Sequence, residues 1–248
     1  MSVQQDKFKE IADAIRGKTN STDKIKPSEF ASKVNDVYEA GKKAQSDEYQ
    51  TKGMTSANAH LDEKFTFAGP FWTDDTFNPN MSWQPRIAEG AFRSCYIKNL
   101  KGILERNGVT FDFSKCINMD YFTYYCKLEK FPLIDLTGVT RALSYSFAGL
   151  TGSNVELPIK LKADGSNTFS NTFGGSSGLV TLTIEGVIGQ NGFNVSQCTN
   201  LSHDSLMSII NHLKDGVSSL TVTLGSTNLA KLTDAEKAIA TQKGWTLA

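Results

Sequence analysis

The chain lacks any hydrophobic run long enough to cross a membrane, which needs about eighteen or more consecutive apolar residues. Its first ten residues, MSVQQDKFKE, contain no apolar core, so we expect no secretory signal peptide. An excess of one charge is also missing, because 26 Lys and Arg balance 26 Asp and Glu among the 248 residues. This neutral balance argues against a basic nucleic-acid grip and a polybasic membrane anchor. We therefore expect neither a nucleic-acid partner nor membrane insertion.

Residues that commonly hold metals or disulfides are scarce. The chain has four cysteines: Cys95, Cys116, Cys126 and Cys198. They form no Cys-x-x-Cys pair and no regular framework, so we predict free, mostly buried thiols. None of the three histidines lies in an H-E-x-x-H motif, and His203 and His212 lie two and a half turns apart on one predicted helix, on opposite sides. The sequence predicts no metal and no cofactor.

Catalytic motifs are equally absent. Residues 174–178 read Gly-Gly-Ser-Ser-Gly, which formally matches G-x-S-x-G. That motif marks a nucleophile only on a turn from a strand into a helix, whereas a strand is predicted to follow here. Asp74 and Asp75 offer two carboxylates, but a glycosidase needs a defined separation that sequence cannot supply. We predict no catalytic residues and a protein that is not an enzyme.

Residues 1–60 are predicted to form a helical module. Phe8, Ile11 and Ile15 fall on one helical face, and Gly17 follows where a helix can end. Pro27 suits the first turn of a second helix, whose apolar positions include Phe30, Val34 and Val37.

Two interpretations of this module stay open, because two short helices with thin apolar stripes make a poor independent core. The pair can lie as a hairpin on the main domain, or it can act as an attachment or oligomerisation module. The candidate assembly residues are Phe8, Ile11, Ile15, Phe30, Val34 and Val37.

Residues 61–200 carry an irregular internal repeat. A phenylalanine is followed, five to eight positions later, by apolar residues spaced for a short strand. The lead residues are Phe92, Phe122, Phe147 and Phe173, at steps of 30, 25 and 26 residues. Periods of this size are typical of leucine-rich repeats, in which stacked coils bury faces that no coil can bury alone. The pattern predicts an α+β fold: a β-rich, irregular leucine-rich-repeat solenoid behind the helical module.

Residues 201–248 are predicted to form the final repeats and a C-terminal cap. A helix begins after Ser202, and residues 219–224 alternate as a strand. Thr233 and Glu236 have the spacing of a capping box, Gly244 suits a helix stop, and a last short strand begins at Trp245.

Aromatic residues are dense between positions 71 and 125, and they too have two interpretations. They can fill the core and cap one end of the repeats. Alternatively, they can form a platform for a sugar or a protein, because Tyr and Trp offer large contact areas at low entropic cost. The candidate ligand-binding residues are Trp72, Trp83, Tyr121, Tyr124 and Tyr125.

Four segments of the chain carry a family resemblance: residues 11–34, 67–80, 182–213 and 231–248. Together with the Phe-led repeats, they resemble leucine-rich-repeat structural proteins of the BspA type from phages and prophages of Gram-positive gut bacteria. The resemblance implies a tail-tip, tail-fibre or other virion-surface component, made in the host cytoplasm and working in the virion. It supplies no catalytic motif and no binding residues.

The sequence thus favours a non-enzymatic virion protein that contacts a host-surface receptor, protein or polysaccharide, or another virion protein. Because virion fibres are usually built from several copies, a homo-oligomer is expected. A bacterial surface adhesin with the same repeats is the first alternative, and a virion-associated polysaccharide-degrading enzyme is the second.

Overall fold

The computed structural model describes residues 66–79 and 82–248. The predicted helical module and its six candidate assembly residues lie outside these ranges. The elements, in chain order, are α1 (Leu100–Asn107), β1 (Ile134–Asp135), β2 (Leu143–Ser144), β3 (Val155–Lys160), β4 (Phe169–Ser170), β5 (Leu179–Glu185), α2 (His203–Asn211), β6 (Leu220–Val222), α3 (Ser226–Leu229), α4 (Asp234–Gln242) and β7 (Trp245–Leu247).

The strands pair only in parallel, in three small sheets with the orders β1-β3-β5, β2-β4 and β6-β7. In the largest sheet, the buried residues of β3 alternate with partly exposed ones, as they do in a half-buried strand. Leu157 of β3 pairs with Leu182 of β5, and Ile159 pairs with Ile184. The predicted short strands at these two places are therefore present.

The predicted leucine-rich-repeat solenoid is wrong. Within residues 66–79 and 82–248 there are few helices, and the three sheets are separate and have only two or three strands each. Elsewhere, parallel pairing is limited to isolated bridges such as Thr73 to Tyr96 and Trp83 to Phe111. The physical reason is that turns occupy most of the chain between the apolar residues, so the short strands never join into one continuous sheet.

The strand that the repeat pattern predicts after Phe92, at Ile97, Leu100 and Ile103, is also wrong, because helix α1 occupies Leu100–Asn107. The Asn99 side chain caps this helix by accepting a hydrogen bond from the Gly102 N–H at 2.8 Å. Leu100, Ile103 and Leu104 are buried with helical spacing, so burial was predicted correctly but the backbone conformation was not.

Four five-residue turns lie outside these elements, at residues 90–94, 121–125, 145–149 and 171–175. The first and last residue of each turn is left-handed, with φ between 50° and 74°. In each of the first three turns, the N–H groups of the first, third and fifth residues donate to carbonyl oxygens of the next turn or of the residue before it, at 2.8–3.0 Å. We call residues 90–94, 121–125, 145–149 and 171–175 the paired turns.

The paired turns bury their second and third residues and leave most of their first and fifth residues at the surface. The lead phenylalanines therefore point inward, and all four are buried as predicted. Phe92 contacts Phe122 at 5.4 Å between ring centroids, and Phe147 stacks on Phe173 at 5.9 Å. This row of rings is the core beneath the paired turns.

The C-terminal elements agree with the sequence prediction except for α3 (Ser226–Leu229), which was not predicted. The Ser202 side chain accepts from the Ser205 N–H at the start of α2. The capping box at the start of α4 is confirmed, since the side chains of Thr233 and Glu236 each accept from the other residue's backbone N–H. Strand β7 follows Gly244 directly and pairs with β6. Within residues 66–79 and 82–248, every helix is too short or too polar to cross a bilayer.

Both the backbone conformation and the close packing at position 244 require a glycine. Replacing Gly244 therefore tests the packing at the start of strand β7. Its φ is 92°, and an added Cβ would lie 1.8 Å from the Val217 carbonyl oxygen. Gly216 is the matched control: its φ is 66°, but no described heavy atom lies within 4 Å of such a Cβ. We expect Gly216→Ala to cost about 1 kcal/mol of unfolding free energy, and Gly244→Ala about 2–4 kcal/mol.

Denaturant unfolding of the two variants beside the wild type measures this difference. Equal losses in both variants would contradict the close approach of the chain at Gly244.

Candidate functional site

A group of tyrosines stands on the outward side of the paired turns. Tyr121 and Tyr125 are the first and last residues of the second turn, Tyr124 lies between them, and Tyr145 begins the third turn. Tyr125 is 58% exposed and Tyr121 is 36% exposed. With Arg93 of the first turn, these four residues form what we call the tyrosine surface.

The rings of the tyrosine surface hold one another in place. Tyr121 stacks on Tyr145 with centroids 5.3 Å apart and planes within 7° of parallel. Tyr124 packs edge-on against Tyr121, Tyr145 and Tyr125, at 5.4, 5.8 and 4.4 Å. Mutual contacts of this kind fix exposed rings before any ligand arrives, which lowers the entropic cost of binding.

Arg93 places a positive charge on the aromatic group. Its Cζ lies 5.5 Å from the ring centroid of Tyr124 and 5.9 Å from that of Tyr121, both within cation–π range. At the far end, the Asn171 amide donates to the Tyr145 hydroxyl at 3.2 Å. A continuous polar and aromatic row, Arg93–Tyr121–Tyr145–Asn171, therefore crosses the four paired turns.

The phenol of Tyr124 stays protonated at neutral pH. Desolvation raises its pKa, the neighbouring Tyr125 and Tyr145 phenols raise it further, and the Arg93 cation lowers it. The net shift is upward, so at neutral pH the Tyr124 hydroxyl remains able both to donate and to accept a hydrogen bond.

Three of these tyrosines occupy left-handed backbone conformations, which are unfavourable for tyrosine. Tyr121, Tyr125 and Tyr145 have φ values of 56°, 54° and 53°. Such left-handed positions suit Gly and Asn, and a bulky residue there costs on the order of 1 kcal/mol. Elsewhere in the paired turns, Gly90 and Asn171 stand at the first position, and Ser94, Gly149 and Gly175 stand at the fifth. The surface tyrosines are therefore not the residues that the turn itself favours.

Gly149 leaves space for the ring of Tyr125, the most exposed ring of the tyrosine surface. A Cβ added at Gly149 would lie 2.5 Å from Cδ1 of Tyr125, so the Tyr125 ring lies directly against the glycine backbone. The missing side chain in one turn thus makes room for the ring of the preceding turn.

Trp72 and Trp83 do not belong to this surface, and their prediction as ligand-binding residues is wrong. Both are buried, at 3% and 1% exposure. Trp72 packs edge-on against Phe67 at 5.6 Å, and Trp83 packs edge-on against Phe111 at 5.2 Å. The physical reason is size: these large rings fill a cluster of phenylalanines and serve as core.

Tyr121, Tyr124 and Tyr125 were predicted as candidates, and the structure brings them together. Sequence reasoning missed Arg93 and Tyr145, which come from the turns before and after. A sequence signal was available, because Asn171 and Gly175 are residue types that favour left-handed positions and lie four residues apart, as Tyr121 and Tyr125 do. The sequence prediction instead used the phenylalanines as the marker of the repeat. Phe122 is the second residue of its turn, whereas Phe92, Phe147 and Phe173 are third, as the bond from the Phe92 N–H to the Phe122 carbonyl shows.

The serine of the G-x-S-x-G match is buried and fully engaged. The Ser176 hydroxyl donates to the Phe147 carbonyl at 2.6 Å and accepts from the Leu150 N–H at 3.1 Å. It holds two turns together and is not exposed as a nucleophile would be.

The four cysteines are buried and unpaired with one another in disulfides. Burial raises the pKa of Cys116 to about 11 and that of Cys198 to about 12. Thiols with raised pKa values remain protonated at neutral pH and react poorly. In the described part of the chain, no three His, Cys, Asp or Glu side chains come together in a way that could hold a metal ion.

No protein-family model matches the chain, and neither a curated protein nor a solved structure shows significant similarity to it.

The left-handed tyrosines lead to a stability prediction. Tyr121→Asn and Tyr125→Gly each remove ring contacts worth about 0.5–1.5 kcal/mol and relieve backbone strain of similar size. We expect the unfolding free energy of each variant to stay within about 1 kcal/mol of the wild type. Phe122→Ala, which empties a buried site in the same turn, is expected to cost about 3–5 kcal/mol.

Chemical denaturation of the three variants measures these values. If either tyrosine variant lost as much stability as Phe122→Ala, the tyrosines would be structural parts of the fold.

Proposed function

We propose that this chain is a non-enzymatic binding protein of a phage virion, a tail-tip or tail-fibre component, that uses the tyrosine surface to contact its target. The target is a host-surface receptor or another virion protein. The single observation that carries the proposal is that Tyr121, Tyr125 and Tyr145 hold left-handed, outward-facing positions that Gly, Asn and one Ser fill elsewhere in the paired turns. Residues that cost the fold conformational energy and lie at the surface are candidates for function.

The chemistry of the surface supports a binding role. Tyrosine combines a large apolar ring with a hydroxyl that can donate and accept, and it has few side-chain torsions to immobilise. The rings already contact one another, with Tyr124 central among its neighbours. A ligand would meet an ordered surface and would lose little affinity to the ordering of these side chains.

The proposed setting comes from the sequence. Residues 11–34, 67–80, 182–213 and 231–248 resemble segments of structural proteins from phages and prophages of Gram-positive gut bacteria. In this proposal, residues 1–60 attach the protein to the virion or join its copies in a homo-oligomer, and the part that follows carries the contact surface.

Binding to intact cells tests the proposal. The full chain, fluorescently labelled, is incubated with a panel of Gram-positive gut bacteria, and retention on washed cells is measured against concentration. We expect saturable retention on at least one strain, and at least tenfold weaker retention of the double variant Tyr121→Asn/Tyr125→Gly, because the two exposed rings are lost while both ends of the turn keep residues suited to positive φ.

Tyr96→Asn is the matched control, because Tyr96 is 50% exposed and contacts no ring of the tyrosine surface in the described part of the chain. It should bind as the wild type does. If no strain retained the chain, the proposed contact with a host-surface receptor would be wrong. If the double variant were retained as well as the wild type, the proposed role of the tyrosine surface would be wrong.

A further inference from the structure

The row of side chains across the paired turns has a direction and a charged end. It runs from the Arg93 guanidinium over the stacked Tyr121 and Tyr145 rings to the Asn171 amide. Each member comes from a successive turn, because the turns are joined in parallel by backbone hydrogen bonds. The row therefore offers one charged group, two stacked rings and one amide at successive steps, which suits an extended ligand.

Arg93 has ring partners but no carboxylate partner among the described residues. It is exposed, and its Cζ lies above Tyr121 and Tyr124 at 5.9 and 5.5 Å. The N–H donors of a guanidinium lie in its plane and point outward from its edge. Those donors form a fork that matches the two oxygens of a carboxylate or phosphate group. An arginine held by rings and left without an acid is arranged to receive an external anion.

The remaining groups fit a saccharide better than a protein surface. Protein interfaces also use Tyr and Arg as anchors, but they place them around a core that is largely apolar and fully buried on binding. The exposed side chains here are phenols, one amide and one guanidinium, with no exposed aliphatic or phenylalanine side chain among them. Phenol rings pack against the C–H faces of sugar rings, and their hydroxyls donate to and accept from sugar hydroxyls.

We infer that the tyrosine surface binds an anionic saccharide polymer, with Arg93 pairing to a carboxylate or phosphate group of the chain. The inference rests on the proposed function and narrows its ligand. Arg93 is then the residue that selects charged over neutral polymers, while Tyr121, Tyr125 and Tyr145 supply the contact area.

The experiment uses isolated cell walls from the same panel of bacteria, digested with protease so that only polysaccharide and peptidoglycan remain. One portion of each wall is treated with cold hydrofluoric acid, which cleaves phosphodiesters. Another is amidated with carbodiimide and ethanolamine, which neutralises carboxylates. Cosedimentation of the full chain with each preparation gives an apparent Kd, and intact cells are measured in parallel.

We expect protease-digested walls of a strain that retains the chain to bind it, and one of the two treatments to weaken binding at least tenfold. The treatment that does so identifies the anion as phosphate or carboxylate. Arg93→Gln should weaken binding to untreated walls at least tenfold and make no further difference on the neutralised walls. Arg93→Lys should fall between them, because lysine keeps the charge but loses the fork.

Arg106→Gln is the control for loss of one positive charge, since Arg106 is an exposed arginine on helix α1, outside the tyrosine surface, and it should bind as the wild type does. Binding to cells but not to digested walls would overturn the saccharide ligand and leave the proposed function standing. Binding that survives both treatments, or that Arg93→Gln does not change, would overturn the role of the anion. Absence of binding to cells and walls alike would overturn this inference together with the host-surface receptor of the proposed function.

Discussion

Parallel backbone hydrogen bonds between the paired turns are the constraint on which the rest of the structure depends. They join residues 30, 23 and 25 positions apart in the chain, so each turn is fixed by the next one rather than by local sequence. Because the second and third residues of each turn point inward, the bonds also decide which side chains become core. The phenylalanine row is the inward side of the paired turns, and the tyrosine surface is their outward side.

Because of this arrangement, the paired turns can carry the tyrosine surface at little cost in unfolding free energy. The buried row of Phe92, Phe122, Phe147 and Phe173 supplies several kcal/mol per ring, on the order of 3–5 for each truncation. The strain of a tyrosine at positive φ is on the order of 1 kcal/mol. The core is therefore large enough to hold three tyrosines in unfavourable positions, and Tyr125 further depends on Gly149 for the space that its ring occupies.

Some features could be predicted because they depend on local chemistry. The capping box of Thr233 and Glu236, the stop at Gly244 and the burial of the lead phenylalanines need only a few neighbouring residues. The solenoid was wrong because apolar spacing alone does not distinguish a strand from a turn or from a helix such as Leu100–Asn107. Trp72 and Trp83 were misplaced because sequence gives the size of a ring but not the side that it faces.

The tyrosine surface was predicted only in part for a related reason. Tyr121, Tyr124 and Tyr125 are close in sequence, so their clustering needs no knowledge of the fold. Arg93 and Tyr145 join them only through the register between turns, and Phe122 lies one position away from the register that the other phenylalanines share. The second and third positions of a turn both face inward, so the burial of Phe122 does not reveal which of its neighbours face outward. The full surface could therefore not be assembled from the repeat pattern.

The measurement that tests the central claim most directly is hydroxyl-radical footprinting of the wild-type chain, free and bound to cells that retain it. Mass spectrometry then gives the oxidation of each exposed tyrosine without any substitution. If the tyrosine surface is the contact site, oxidation of Tyr121 and Tyr125 falls on binding while that of Tyr96, which is exposed elsewhere, does not change. Unchanged oxidation of Tyr121 and Tyr125 in the bound chain would contradict the account.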